Sequence, residues 1–353
     1  MEEINKQCAG IDCSKKDFAV TISHSDRYQE IQHLSSRTFA NNDVGFKAFN
    51  KWAGKLYKKS IPMLFVMEAT GVYHERLAHF LSQLGYHISI VAPKRAKDFS
   101  KTLKVKKITD KIASQYLAIM GLEKKLDLWS PPHREYAELK HLTREKEQIQ
   151  NQITMLKNFL EAEKSAYLIH EESLKRFDQT LNLLKKQKAE ILKQLKGLIS
   201  ENKELKDRVE KVTSIPGVGV LTAATIIGET NGFSQVRNKR QLVSYAGYDV
   251  MNQESGTSVL TKARISKRGN KHIRKAMHMP ALTSIKHTDS SEATFIRITS
   301  KTGIKMKGVV AVQRKLLVLI YTLWKNEAIY DPNYELKKEG DIKPPCELDH
   351  VRS

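Results

Sequence analysis

A chain of 353 residues, 40% of them hydrophobic, is long enough for two domains plus a connecting element and apolar enough to build real cores. Its 60 Lys and Arg against 39 Asp and Glu leave a net charge of +21, a field that gathers polyanions, so nucleic acid is the expected partner and a merely solubilising surface the plainer alternative. Cys8, Cys13 and Cys346 at no metal-ligand spacing, and histidines in no His-Glu-x-x-His pattern, exclude a zinc site; the thiols are expected to be reduced in a cytoplasmic protein.

From residue 8 to about 122, short apolar runs alternate with amphipathic segments, the pattern of an α/β domain. Residues 8–12 and 18–22 are predicted to pair as strands, with 14–17 as their turn. Asn41-Asn-Asp-Val44 caps a helix whose apolar face is Phe46, Phe49, Trp52 and Leu56. Residues 63–67 read as a buried strand ending at Glu68, followed by Gly71, a helix from about 73 to 84 and a strand over 87–91. A basic stretch holding Lys94, Arg95, Lys101, Lys104, Lys106 and Lys107 then precedes a helix that opens at Thr109-Asp110.

Pro131-Pro132 marks a boundary, after which the chain turns charged and helical. Leu139, Leu142, Ile149, Ile153, Leu156 and Leu160 form one heptad seam with Lys146 as intruder. A second seam runs through Phe177, Leu181, Leu184, Ile191, Leu195, Leu198, Leu205 and Val209, interrupted by Lys188 and Asn202. Two long helices joined near 170–173 follow, each reaching about 45 to 50 Å. They serve assembly or fold back as a hairpin without a partner. From residue 212 the chain becomes compact, and Ser214-Ile-Pro-Gly-Val-Gly219 resembles a helix-hairpin-helix turn, whose amides hold a phosphate, or is a plain packing turn. Residues 314–324 are predicted to be a final amphipathic helix; the longest apolar stretch, 309–324, is too short and too interrupted to cross a bilayer. The start of the chain lacks the basic and apolar pattern of an export signal. The expected divisions are 1–125, 126–211, 212–330 and a poorly ordered tail, 331–353.

Two groups of residues carry chemistry. Asp12, Glu68 and Asp110 each close an apolar segment or open a helix, as carboxylates around Mg2+ or Mn2+ would, and two such metals clamp an in-line phosphoryl displacement. Singly, each is an ordinary surface acid. Ser255, a hydroxyl nucleophile, is followed by Lys262, Arg264, Lys267, Arg268, Lys271, Arg274 and Lys275, a set suited to neutralising phosphates. Any one of these cations alone is a solvated charge.

Gly10-Ile-Asp12-Cys-Ser-Lys15, Met67-Glu-Ala-Thr-Gly-Val-Tyr73, Ile108-Thr-Asp110-Lys-Ile-Ala-Ser-Gln-Tyr-Leu-Ala118 and the Ser-Gly at 255 together resemble the insertion-sequence-110 family of transposases and the related Piv-type DNA invertases. The resemblance extends from about Gly10 to Tyr330. It implies a ribonuclease-H/RuvC-like α/β domain, a long helical coiled-coil arm and a mostly helical C-terminal transposase domain. It further implies that Asp12, Glu68 and Asp110 hold the metal while Ser255 forms a transient phosphoserine link to DNA. Donor and target DNA, a structured non-coding guide RNA and a homo-oligomer, dimer or tetramer, are the implied partners. One departure stands out: the family's fourth acid is replaced by Ala113, which cannot ligate metal. Either the change inactivates the site, or water or Ser114 fills the gap. The competing readings are a site-specific invertase without guide RNA and a catalytically inactive nucleic-acid-binding form.

Overall fold

The computed structural model describes residues 4–103, 109–234, 236–251 and 264–333, and the backbone alone of 254–255 and 259–260. The chain divides at Pro131-Pro132 into two compact units.

In the first unit, β1 (Ile4–Cys13), β2 (Asp17–Asp26) and β3 (Ile31–Ala40) precede α1 (Asp43–Ala53), β4 (Met63–Glu68), α2 (Glu75–Gln83), β5 (His87–Val91), α3 (Pro93–Thr102) and α4 (Asp110–Glu123). The strands order as β3-β2-β1-β4-β5, antiparallel across β1–β2 and β2–β3, parallel across β1–β4 and β4–β5. The β1–β2 turn closes where expected, Ser14 Oγ donating to Asp17 Oδ1 at 2.6 Å. Alternation along β1 then assigns its faces. Ala9, Ile11 and Cys13 join Phe18, Phe46, Phe49 and Leu81 in one core. Cys8, two residues before Gly10, packs with Val66, Leu117 and Met120 on the other side, beneath α4. Gly10 is required there, because a methyl group would strike the Ser114 carbonyl and the Ala118 amide.

β3 was not among the predicted strands. Its side chains are mostly solvent-facing, with Phe39 the only buried one, so it lacks the apolar alternation that reveals a half-buried strand. It is an edge strand, paired with β2 alone.

The second unit holds α5 (Arg134–Lys164), α6 (Glu171–Glu201), α7 (Lys203–Thr213), α8 (Val220–Thr230) and α9 (Lys239–Tyr245). Short strands β6 (Val250–Met251), β7 (Glu254–Ser255), β8 (Val259–Leu260) and β9 (Arg264–Ile265) lead to α10 (Lys271–Ala276), α11 (His278–His287), α12 (Asp289–Thr302) and α13 (Lys305–Asn326). α5 and α6 pack together through Ile149, Ile153, Leu181, Leu184 and Ile191. Three details differ from the heptad reading. The connection occupies 165–170, before the predicted join. Leu139 leaves the seam for the main core with Ile226, Ile227 and Leu317, an approach that Gly228 permits by lying against the Leu139–Lys140 backbone. At Asn202 the second helix stops: the side-chain oxygen accepts from Leu205 N at 3.0 Å and starts α7, so Leu205 and Val209 serve the main core. Gly217, with φ at +87°, packs against Pro280 and Thr283 of α11. Among the described residues no helix is long and apolar enough to cross a membrane. The predicted tail lies outside the described residues from 334 onward.

Candidate active site

Ile11 of β1 pairs in parallel with Met67 of β4, so Asp12 and Glu68 follow at the same level on adjacent strands, roughly 4.8 Å apart. Both are at the carboxyl ends, on the α4 side of the sheet. α4 contributes Asp110 in its first turn, after Thr109, whose hydroxyl caps the helix by accepting from Ile112 N at 3.3 Å. A carboxylate suits that helix end.

The three acids feel one another. The Asp12 carboxyl is pushed up to about 6, first by burial and then by the charges of Asp110 and Glu68. Burial, reinforced by Asp12, lifts the neighbouring Cys13 thiol to about 12, which leaves it an inert core residue. Glu68 is oriented by two hydroxyls: Thr70 donates to Oε1 at 2.9 Å and Tyr116 to Oε2 at 3.4 Å. Tyr116 was not singled out from the sequence. Its phenol is raised to about 12 by burial and by the Glu68 and Asp12 charges, so it remains a donor.

Oxygen donors carrying mutual repulsion, with no ion pair to Asp12, Glu68 or Asp110 among the described residues, are a donor set that suits a hard divalent cation. The side chains are not drawn into a ready cage: among the described residues no three His, Cys, Asp or Glu converge closely enough to hold a metal ion. Ala113, one turn beyond Asp110, is 4% exposed and packs in the apolar cluster with Val66 and Tyr116. Ser114 is already engaged, donating to the Lys111 carbonyl at 2.8 Å and bonded to Thr21 at 2.7 Å in a fully buried position. These bonds remove it as a substitute ligand.

Ser255 belongs to the second unit. Its backbone pairs with Val259 in the β7–β8 ladder, and its side chain lies outside the described residues. The flanking β6–β9 ladder joins Val250 to Ile265 and Met251 to Arg264. The second unit also holds a polar clasp that sequence reading missed. Arg144 of α5 grips the Glu229 carboxylate with two donors, at 2.6 and 2.9 Å, and Asn270 Nδ2 donates to the same carboxylate at 2.6 Å. Asn270 Oδ1 simultaneously caps α10, accepting from His272 N at 2.9 Å. Burial alone would lift the Glu229 carboxyl, yet the bonds from Arg144 and Asn270 outweigh it and hold the group below the usual carboxylate range. A lone acid in the otherwise uncharged Val220–Thr230 helix was the available signal, since a buried charge requires a partner.

The basic residues divide. Lys94, Arg95 and Lys101 are exposed on α3, and Lys101 reaches Asp98 at 3.4 Å. Arg264, Lys267, Arg268 and Lys271 are also exposed. Arg274 is partly committed to structure, donating to the Ala246 carbonyl at 2.8 Å. Lys104, Lys106, Lys107 and Lys262 lie outside the described residues.

Comparison with known proteins places these features in a lineage. Residues 9–163 match the transposase family DEDD_Tnp_IS110, and residues 209–296 match the family described as Transposase IS116/IS110/IS902. The pilin gene-inverting protein of Moraxella bovis is 26% identical over 331 residues, covering 93% of this chain and 98% of that protein. The transposase for insertion sequence element IS1111A of Coxiella burnetii is 27% identical over 141 residues, 39% of this chain and 37% of its own length. A Thermus thermophilus RuvC structure aligns with 35% of this chain and 99% of its own at 9% identity, with a TM-score of 0.27.

Proposed function

We propose that this chain, which belongs to the IS116/IS110/IS902 family of transposases, cuts and rejoins DNA using the carboxylates of its first unit and the Ser255 hydroxyl of its second. The observation that carries this reading is the juxtaposition of Asp12 and Glu68 on neighbouring parallel strands with Asp110 in electrostatic reach, Asp12 being lifted to about 6. The first unit is then a RuvC-like domain, the α5–α6 pair a coiled-coil arm, and the helical remainder the serine-bearing transposase domain.

Asp12, Glu68 and Asp110 would hold Mg2+ or Mn2+, which when bound would supply positive charge to the phosphoryl oxygens of the transition state. Glu68 is held in place by Thr70 and Tyr116. Ser255 Oγ forms a bond to phosphorus as the bond to the leaving strand's oxygen breaks, and that oxygen takes up the proton. Attack by a second strand's hydroxyl reverses the exchange and frees the serine. The number of phosphoester bonds is conserved, so no nucleotide is consumed. Exposed Arg264, Lys267, Arg268 and Lys271 neutralise backbone phosphates, which position DNA without reading it. Selection of donor and target DNA then falls to a structured guide RNA.

A second reading, inversion of a DNA segment without guide RNA, is favoured by the similarity to a pilin gene-inverting protein along nearly the full chain. Sequencing the RNA that copurifies separates the two, because one abundant structured species favours guidance. A third reading, an inactive nucleic-acid-binding form, draws on Ala113. The deciding experiment measures denaturation-resistant protein–DNA adduct with Mg2+ or Mn2+. Ala113→Asp is expected to raise adduct formation by at least about 10- to 100-fold, the loss that follows even from removing a residue that orients a metal ligand, and Ser255→Ala to abolish it in either background. Absence of adduct from both the unaltered chain and Ala113→Asp overturns the enzymatic reading.

A further inference from the structure

Between α5, α8, α10 and the start of α11, within the second unit, lies a cleft of about 250 Å³ lined in part by Arg144, Lys146, Glu147, Glu229, His272 and Lys275. Both of its carboxylates are fully used. Glu229 receives Arg144 on each oxygen and Asn270 on one of them. Glu147 receives His272 Nδ1 on Oε2 at 2.6 Å and Lys275 Nζ on Oε1 at 2.8 Å. Lys146 is the cation left over: it is half-buried, and among the described residues no hydrogen bond or ion pair reaches its ammonium. Burial, then the charges of Lys188 and Lys275, pull its pKa below the ordinary lysine value, and Glu147 offsets them only in part. Lys188 is itself bound to Gln150 Oε1 at 2.6 Å, so it offers no relief.

An ammonium that is partly desolvated, repelled by two neighbours and only partly offset by a Glu147 carboxylate whose hydrogen bonds go to His272 and Lys275 is stabilised by an anion from outside the chain. The flanking cations are already fixed by their carboxylates, so their ordering would not oppose binding. The geometry points to this cleft as a seat for a backbone phosphate of bound nucleic acid, with Lys146 as the primary contact and Arg144 and Lys275 as flanking charges. The identity of the anion rests on the proposed function. The contact fixes position along a strand without reading a base.

The test compares the unaltered full chain with Lys146→Met and Lys146→Arg, using a duplex DNA of arbitrary sequence and a single-stranded RNA of equal length, across a salt series. Lys146→Met is expected to bind about fivefold more weakly at physiological salt. Its slope of log affinity against log salt should shrink by about 0.9 on duplex DNA, or about 0.7 on the single strand. The same variant is expected to keep or raise the thermal midpoint of the free protein, since a repelled cation is gone, and Lys146→Arg is expected to retain the slope. A change confined to one probe identifies which nucleic acid occupies the seat. An unchanged slope on both probes overturns the seat, as does a midpoint that falls together with affinity, which would make Lys146 structural. Failure of the unaltered chain to bind either probe overturns the seat and the proposed function together, whereas normal binding with an unchanged slope overturns the seat alone.

Discussion

Asp12 works against the folded state whenever it is ionised without a counter-charge. Its carboxyl titrates near 6 in the folded chain, against about 3.9 when unfolded. A raised acid favours folding fully below the unfolded value and loses that contribution as pH climbs from about 4 through 6. Asp12→Asn is therefore expected to stabilise the metal-free protein above pH 6 by about 1–2 kcal/mol, a figure reduced from the full shift because the group is partly exposed. Near pH 4 the variant and the unaltered chain should unfold alike. Denaturant unfolding at the two pH values checks this, and no gain at high pH would mean that neither burial nor the neighbouring acids lift Asp12. Asp12 and Glu68 stand out in the sequence because each ends a recognisable apolar segment, and Asp110 because it opens a helix. The clasp of Arg144, Glu229 and Asn270 does not, because its members are dispersed along the chain and meet only through folding.

The seating of α4 on β1 decides where Asp110 stands relative to the strand ends. Gly10 has no room for a side chain against Ser114 and Ala118, whereas a methyl group placed on Gly197 in α6 would meet nothing within 4 Å. Gly10→Ala is expected to destabilise the chain by about 3 kcal/mol. Gly197→Ala is expected to stabilise it by about 0.5–1 kcal/mol, because a helical position gains a better helix former. Thermal unfolding of both variants checks the contrast; equal effects would deny the close helix–strand approach. β1, β2, β4, β5 and α1 could be recognised from sequence because burial imposes a period on their side chains. Edge strand β3 meets no such demand on most of its residues, and its pairing with β2 is a backbone matter that side-chain pattern does not report. The stop at Asn202 shows a different limit: a heptad spacing continues through a residue that caps a new helix as readily as through one that extends the old.

At the scale of the whole chain, the carboxylates and Ser255 lie in different compact units. The proposed chemistry thus draws its two halves from parts that fold around separate cores. In a homodimer that pairs the acids of one copy with the serine of the other, equal amounts of Asp12→Asn and Ser255→Ala chains, each inactive alone, are expected to recover about a quarter of normal activity, since half of randomly formed dimers hold one complete site. Measuring strand cleavage by the mixture checks this, and zero recovery would place both halves within a single copy. Shared sites would also make dose the safeguard. A cell producing few copies would be largely spared from rearrangement, because activity at low expression would fall with the square of protein concentration.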